Sequence, residues 1–188
     1  MALPPPILYS PSIHSNLLEQ LARIHADCIL QDGTLMTFQP GDDLKSIDMS
    51  KVLRSWQTWA SEIDDADRSR EIILQCTDAS NTEVMGVVSL KMPASETGPF
   101  RAEVQRLAVS PKHRKVGVAK RLMSKLEEVA RERHRELIML DTTIGSGAEH
   151  VYPRLGYKEI GVVPKYGIHP LTKKLVDEVF FYKDLRDH

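Results

Sequence analysis

The 188-residue chain is 41% hydrophobic and 27% charged, with a formal net charge of −1, an ordinary composition for a single globular domain spanning residues 1–188. So balanced a charge gives no global field for nucleic acid or an acidic membrane, and any anion site has to be a local cluster. Two cysteines, Cys28 and Cys76, are too few for a disulfide framework, the first residues lack the pattern of a signal peptide, and no apolar run is long enough to span a membrane. The expectation is a cytoplasmic, reducing setting in which both thiols are buried and free.

Pro4, Pro5 and Pro6 stiffen the entry to a short strand at 7–10. Leu17, Leu18, Leu21 and Ile24 recur at helical spacing and predict a helix capped by Ser12 or Ser15 that runs to about residue 31. A turn at 39–43 precedes a second helix over 47–63, with Val52, Trp56 and Trp59 on one stripe; the two tryptophans read as core rather than as a substrate clamp. A polar loop at 64–69 ends this part. The apolar period then becomes two. Strands at 71–76 and 84–91 flank a turn at 78–81, and a third strand covers 101–109. A long helix over 116–135 follows, with Val118, Leu122, Leu126 and Val129 on one face. A strand at 137–141, a short helix at 148–155 and strands at 157–163 and 179–183 complete the chain. This order predicts an α/β protein with a mixed, mostly antiparallel sheet and helices on both faces.

The segment 104–119 carries the most chemistry. Its strand stops before Pro111, which lacks an N–H donor. Lys112, His113, Arg114 and Lys115 form a basic loop, and Gly117 opens the long helix. The first N–H groups of a helix are unpaired, and the macrodipole adds positive potential there. A strand, a basic loop and a glycine at a helix start therefore suit a pyrophosphate. The dinucleotide fingerprint and the P-loop both need glycines that this segment lacks.

Arg114-Lys-Val-Gly117-Val-Ala119 resembles motif A of the GNAT acetyltransferases, Gln/Arg-x-x-Gly-x-Gly/Ala. Downstream, Ala148, Tyr152, Gly156 and Tyr157 match that family's Ala-x-x-x-Tyr-x-x-x-Gly-Phe/Tyr. Within the family, the stretches from Arg101, from Leu140 and through Tyr166 to Phe181-Tyr-Lys look like the tabtoxin-resistance acetyltransferases. The resemblance implies the GNAT acyl-CoA N-acyltransferase fold and acetyl-CoA as co-substrate. It implies that acetyl-CoA lies along Leu107, Ala108 and Val109, and along Arg114, Lys115, Val116, Gly117, Val118, Ala119 and Lys120.

The reaction it implies is direct acetyl transfer to an amino group of a small molecule, such as a toxin, antibiotic or amino-acid analogue. An amine near pKa ~10 must shed a proton before it attacks, which a carboxylate can accept. By the resemblance, that role falls to Glu103 and Asp141, and Tyr152 serves the leaving thiolate. A backbone N–H between Leu107 and Val109 would meet the oxyanion. Pro153 directly after Tyr152 disfavours a helix there, and so bears on where its hydroxyl points. His113, His150 and His169 make no metal pattern, so no metal is expected. No nucleic-acid or membrane partner is expected either, and the oligomer is a monomer or homodimer. Two other readings remain open: acetylation of protein N-termini or lysines, and a non-catalytic acyl-CoA-binding module.

Overall fold

The computed structural model describes residues 3–34, 37–64 and 69–187. Strands β1 (Ile7–Leu8), β2 (Arg70–Cys76), β3 (Val84–Lys91) and β4 (Arg101–Val109) are antiparallel neighbours. β4 is parallel to β5 (Leu137–Thr143), which is antiparallel to β7 (Leu175–Asp184); β6 (Lys158–Ile168) lies outermost, in the order β1-β2-β3-β4-β5-β7-β6. The sheet is the mixed, mostly antiparallel one expected.

Every residue of β2 is buried, as happens when a strand is covered on both faces. One cover is the pair α2 (Leu18–Asp32) and α3 (Met49–Asp64), whose Leu21, Ile24, Val52 and Trp56 pack on Ile72, Leu74 and Val87. The other is α4 (Val118–Glu132), whose Val118, Leu122, Leu126 and Val129 pack on Ile73, Val88 and Leu90. The alternation of β2 and β3 thus divides the apolar residues between two cores. Cys28 and Cys76 are buried free thiols, and burial pushes Cys76 up to about 11.

Several expected boundaries shift for identifiable reasons. The first helix is broken into α1 (Pro11–His14), a 3₁₀ turn Ser15–Leu17, and α2. Neither Ser12 nor Ser15 caps it; instead the Ser10 N–H donates to His14 Nδ1 at 3.0 Å. α3 starts at Met49, where Asp48 Oδ1 accepts from the Ser50 and Lys51 N–H groups, an N-cap that holds the first turn. The expected helix at 148–155 is two 3₁₀ turns, Ala148–His150 and Pro153–Leu155, since Pro153 has no N–H to continue an α-helix. β6 and β7 absorb most of the loop expected between them, and Asp177 Oδ1 accepts from the Lys165 N–H at 2.8 Å across an irregular part of the ladder. Of the polar loop expected at 64–69, residues 65–68 lie outside the described residues. Among the described residues no helix is long and apolar enough to cross a membrane.

Candidate active site

β4 and β5 are paired only at their beginnings, from Arg101↔Leu137 to Glu103↔Met139. Beyond that point they diverge, and the gap becomes a cleft of 1080 Å³ lined from β4, β5, the start of α4 and β6. A bulge sets the shape of the β4 wall. Ser89 pairs with Gln105 and Val87 with Ala108, so two β4 residues, Arg106 and Leu107, face one on β3. Arg106 takes φ +52, a left-handed conformation uncommon outside glycine. The extra residue reverses the alternation: Val104 packs in the core under α4, yet Ala108 packs in the core under α2 and α3.

At one end of the cleft is the start of α4. Lys115 and Gly117 are both left-handed, at φ +62 and +86, and curl the basic loop into the helix. Gly117 holds the N-cap position with no side-chain cap, so the first helical N–H groups have no side-chain acceptor. A Cβ at Gly117 would meet nothing within 4 Å and would project into open space. The result is a backbone concavity with positive potential, suited to phosphate oxygens. Lys115 and Lys120 are exposed beside it and line the cleft. Arg114 departs from expectation: its guanidinium is ion-paired with Asp32 at the end of α2, with Nη2 3.7 Å from Cys28 Sγ. Its side chain ties the loop to α2, while its backbone belongs to the turn. Leu107, Ala108, Val109, Val118 and Ala119 line the same cleft, whereas Val116 is exposed and not part of the lining.

The other end is acidic. Glu103 is on the paired part of β4 and accepts from Gln105 Nε2 at 3.1 Å. Asp141 faces the cleft from β5. Glu178 comes from β7, opposite Thr143 in register, which brings it diagonally beside Asp141 on the same face. The two carboxyls are close enough for each to act on the other's titration. Burial, then the charge of Asp141, pushes Glu178 up to about 7. Asp141 is raised by burial and by Glu103. Glu178 therefore changes between acid and carboxylate across the neutral range. Sequence reasoning missed Glu178; only the β5–β7 register brings it beside Asp141.

Tyr152 is 5% exposed, with its ring against Tyr157 and Phe181. It lines the cleft from just before the Pro153–Leu155 turn, and burial followed by Asp141 keeps the phenol protonated. Trp56 is fully buried as expected, but Trp59 lines the cleft. Arg70 and Arg106 stack on Trp59 with guanidinium carbons 3.7 and 3.4 Å from the ring centroid. At those distances they occupy opposite faces. The β6–β7 hairpin tip reaches across to the end of α2 and the segment after it. The His169 imidazole lies where a Cβ at Gly33 would be, and Lys173 Nζ donates to Gln39 Oε1 at 2.6 Å.

A helix start suited to anions and a pair of neighbouring carboxyls lie along one cleft between splayed parallel strands. The chain belongs to the acetyltransferase (GNAT) family, whose profile it matches over residues 41–157. Across 87 residues, 46% of the chain, it is 37% identical to N-acetylaspartate synthetase of Xenopus tropicalis, and the match spans 31% of that protein. The fold is shared with a ribosomal-protein-alanine N-acetyltransferase of Brucella melitensis: TM-score 0.73, 19% identity, covering 96% of this chain and 99% of that one. It is also shared with an acetyltransferase of Salmonella typhimurium solved with acetyl-CoA: TM-score 0.71, 14% identity, covering 98% and 96%.

Proposed function

We propose that this acetyltransferase acetylates a primary amine on a small molecule by direct attack on the acetyl-CoA thioester. The observation that carries the reading is the acidic end of the cleft, where Glu103, Asp141 and Glu178 converge on one opening. An ammonium group entering there meets negative potential. The Asp141–Glu178 pair, once it has lost its own proton, takes the proton that the amine must shed. The name of the Xenopus relative, and the likeness to tabtoxin-resistance enzymes, point to the same class of small amines.

The chain's groups divide the remaining work. Backbone N–H groups at Gly117 to Lys120 hold the pyrophosphate, with Lys115 and Lys120 adding charge. The bulge at Arg106 and Leu107 interrupts the β-ladder and frees backbone donors for the oxygen on which charge develops. Tyr152 donates a hydrogen bond to the departing sulfur. Its raised pKa makes it a stabiliser of the thiolate rather than a full proton donor.

Titration calorimetry with acetyl-CoA on the wild type and on Gly117→Glu tests the donor site. Binding in the micromolar range that is lost in the variant is expected. A CoA-release screen then compares small amines with peptides. Higher kcat/KM for peptides would overturn the small-molecule reading.

A further inference from the structure

Val104 of β4 packs in the core under α4, so its neighbours Glu103 and Gln105 share the opposite face, the one toward α2 and α3. Both are half-buried and line the cleft. Their side chains are not independent. Gln105 Nε2 donates to Glu103 Oε1 at 3.1 Å, and Gln105 Oε1 accepts from Arg70 Nη1 at 2.9 Å. Arg70, at the start of β2, is 3% exposed. Its Nε donates to Glu62 Oε2 at 2.9 Å, its Nη1 also donates to Ser89 Oγ at 2.7 Å, and its guanidinium lies over the Trp59 ring. A continuous line of hydrogen bonds therefore runs from Glu62 on α3, through Arg70 on β2 and Gln105 on β4, to Glu103 in the cleft.

The chemistry of these groups gives the line a direction. A guanidinium only donates, an ionised carboxylate only accepts, and a glutamine amide does both. Between the two, the amide satisfies both neighbours in one orientation, with its oxygen toward Arg70 and its NH2 group toward Glu103. The turned amide would set N–H against N–H and oxygen against oxygen. We infer that Gln105 is a positioning residue for acetyl transfer: anchored on Arg70, it holds the Glu103 carboxylate where the ammonium group of the acceptor arrives. Arg70 keeps Glu62 and Ser89 as partners without Gln105, so pairing that cation is not the amide's main use. Glu103 is the group that gains. A glutamate free at the wall of a cleft spreads over several rotamers. Fixing one of its oxygens removes that freedom before the acceptor binds and leaves the second oxygen to accept from the incoming ammonium.

The inference rests on the reading that Glu103 meets the acceptor amine, and the test separates the two. Glu103→Gln, Gln105→Met and Gln105→Glu are made singly, and both Gln105 changes are repeated in the Glu103→Gln background. Gln105→Glu keeps an acceptor for Arg70 and takes away the donor to Glu103, so it carries the test if the Met variant does not fold. CoA release is followed with n-propylamine, with glycinamide and with a short peptide that has a free alanine N-terminus; acetyl-CoA binding is followed by calorimetry. With the acceptor that the wild type uses best, both Gln105 variants should lower kcat/KM about 10-fold, mostly through the acceptor KM, at unchanged acetyl-CoA affinity. In the Glu103→Gln background the same changes should move kcat/KM less than about twofold, because the carboxylate they act through is gone. A Gln105 that served only to satisfy Arg70 would give another pattern. Gln105→Glu would then match the wild type, or the losses would be as large without the Glu103 carboxylate as with it, and either result overturns the inference. If the peptide is the better acceptor, the small-molecule reading fails while the coupling still decides the role of Gln105. If Glu103→Gln leaves kcat/KM unchanged, or no acceptor is used, the role of Glu103 is lost and this inference with it.

Discussion

The carboxyl pair makes a quantitative prediction about pH. Glu178 titrates at about 7 because it is buried beside Asp141. A group at that value is about 9% ionised at pH 6 and about 91% at pH 8, so the base-competent form of the pair rises about tenfold between them. Glu178→Gln keeps the size of the side chain and its place beside Asp141 but removes this ionisation. The acceptor's own titration also raises the rate with pH, but it cancels in the ratio of wild-type to variant kcat/KM. That ratio, measured by CoA release at saturating acetyl-CoA, is expected to climb about tenfold from pH 6 to 8 and then level off. Stability gives a second reading with a definite sign. A carboxyl whose folded pKa is raised contributes stability below its ordinary value and loses it as pH rises through about 7. Glu178→Gln should therefore gain in Tm relative to the wild type between pH 5 and 8, with a ceiling of about 3 kcal/mol. A flat activity ratio across this range would refute the pair as the proton acceptor.

Tyr152→Phe should lower kcat about 10- to 100-fold with acetyl-CoA affinity unchanged by calorimetry, because the ring packing on Tyr157 and Phe181 survives; unchanged kcat would remove Tyr152 from the chemistry. Gly86→Ala puts a Cβ 2.9 Å from both the Ala108 carbonyl oxygen and Val118 Cγ1. It should cost about 1–3 kcal/mol in urea unfolding and weaken acetyl-CoA binding as the start of α4 shifts; a neutral result would mean that the helix seat is looser than the packing shows. Arg133→Met removes one cation, 2.8 Å from the fully buried Glu71. A loss of about 1–3 kcal/mol is expected by thermal melting, partly recovered in the double variant with Glu71→Gln.

Much of this protein is legible in its sequence, and the reason is local. The apolar periods of α4 and of β2 to β4 depend on neighbours a few residues away, as does the glycine at the start of α4 after a strand that ends at Pro111. The proposed donor site is one such continuous segment, so it could be proposed from spacing and from family likeness together. The acceptor end is assembled from distant parts. Glu178 meets Asp141 only through the β5–β7 register, and His169 meets Gly33 only because β6 and β7 run longer than their alternation suggested. Arg106 faces Trp59 because one bulge reverses the alternation of β4, and a single inserted residue leaves no periodic signal in a nine-residue strand. The sequence by itself determined the layers of the fold and the segment at which we place the acetyl donor. Tertiary structure alone decided which charges face the acceptor, because contacts between strands and helices far apart in the chain set those positions.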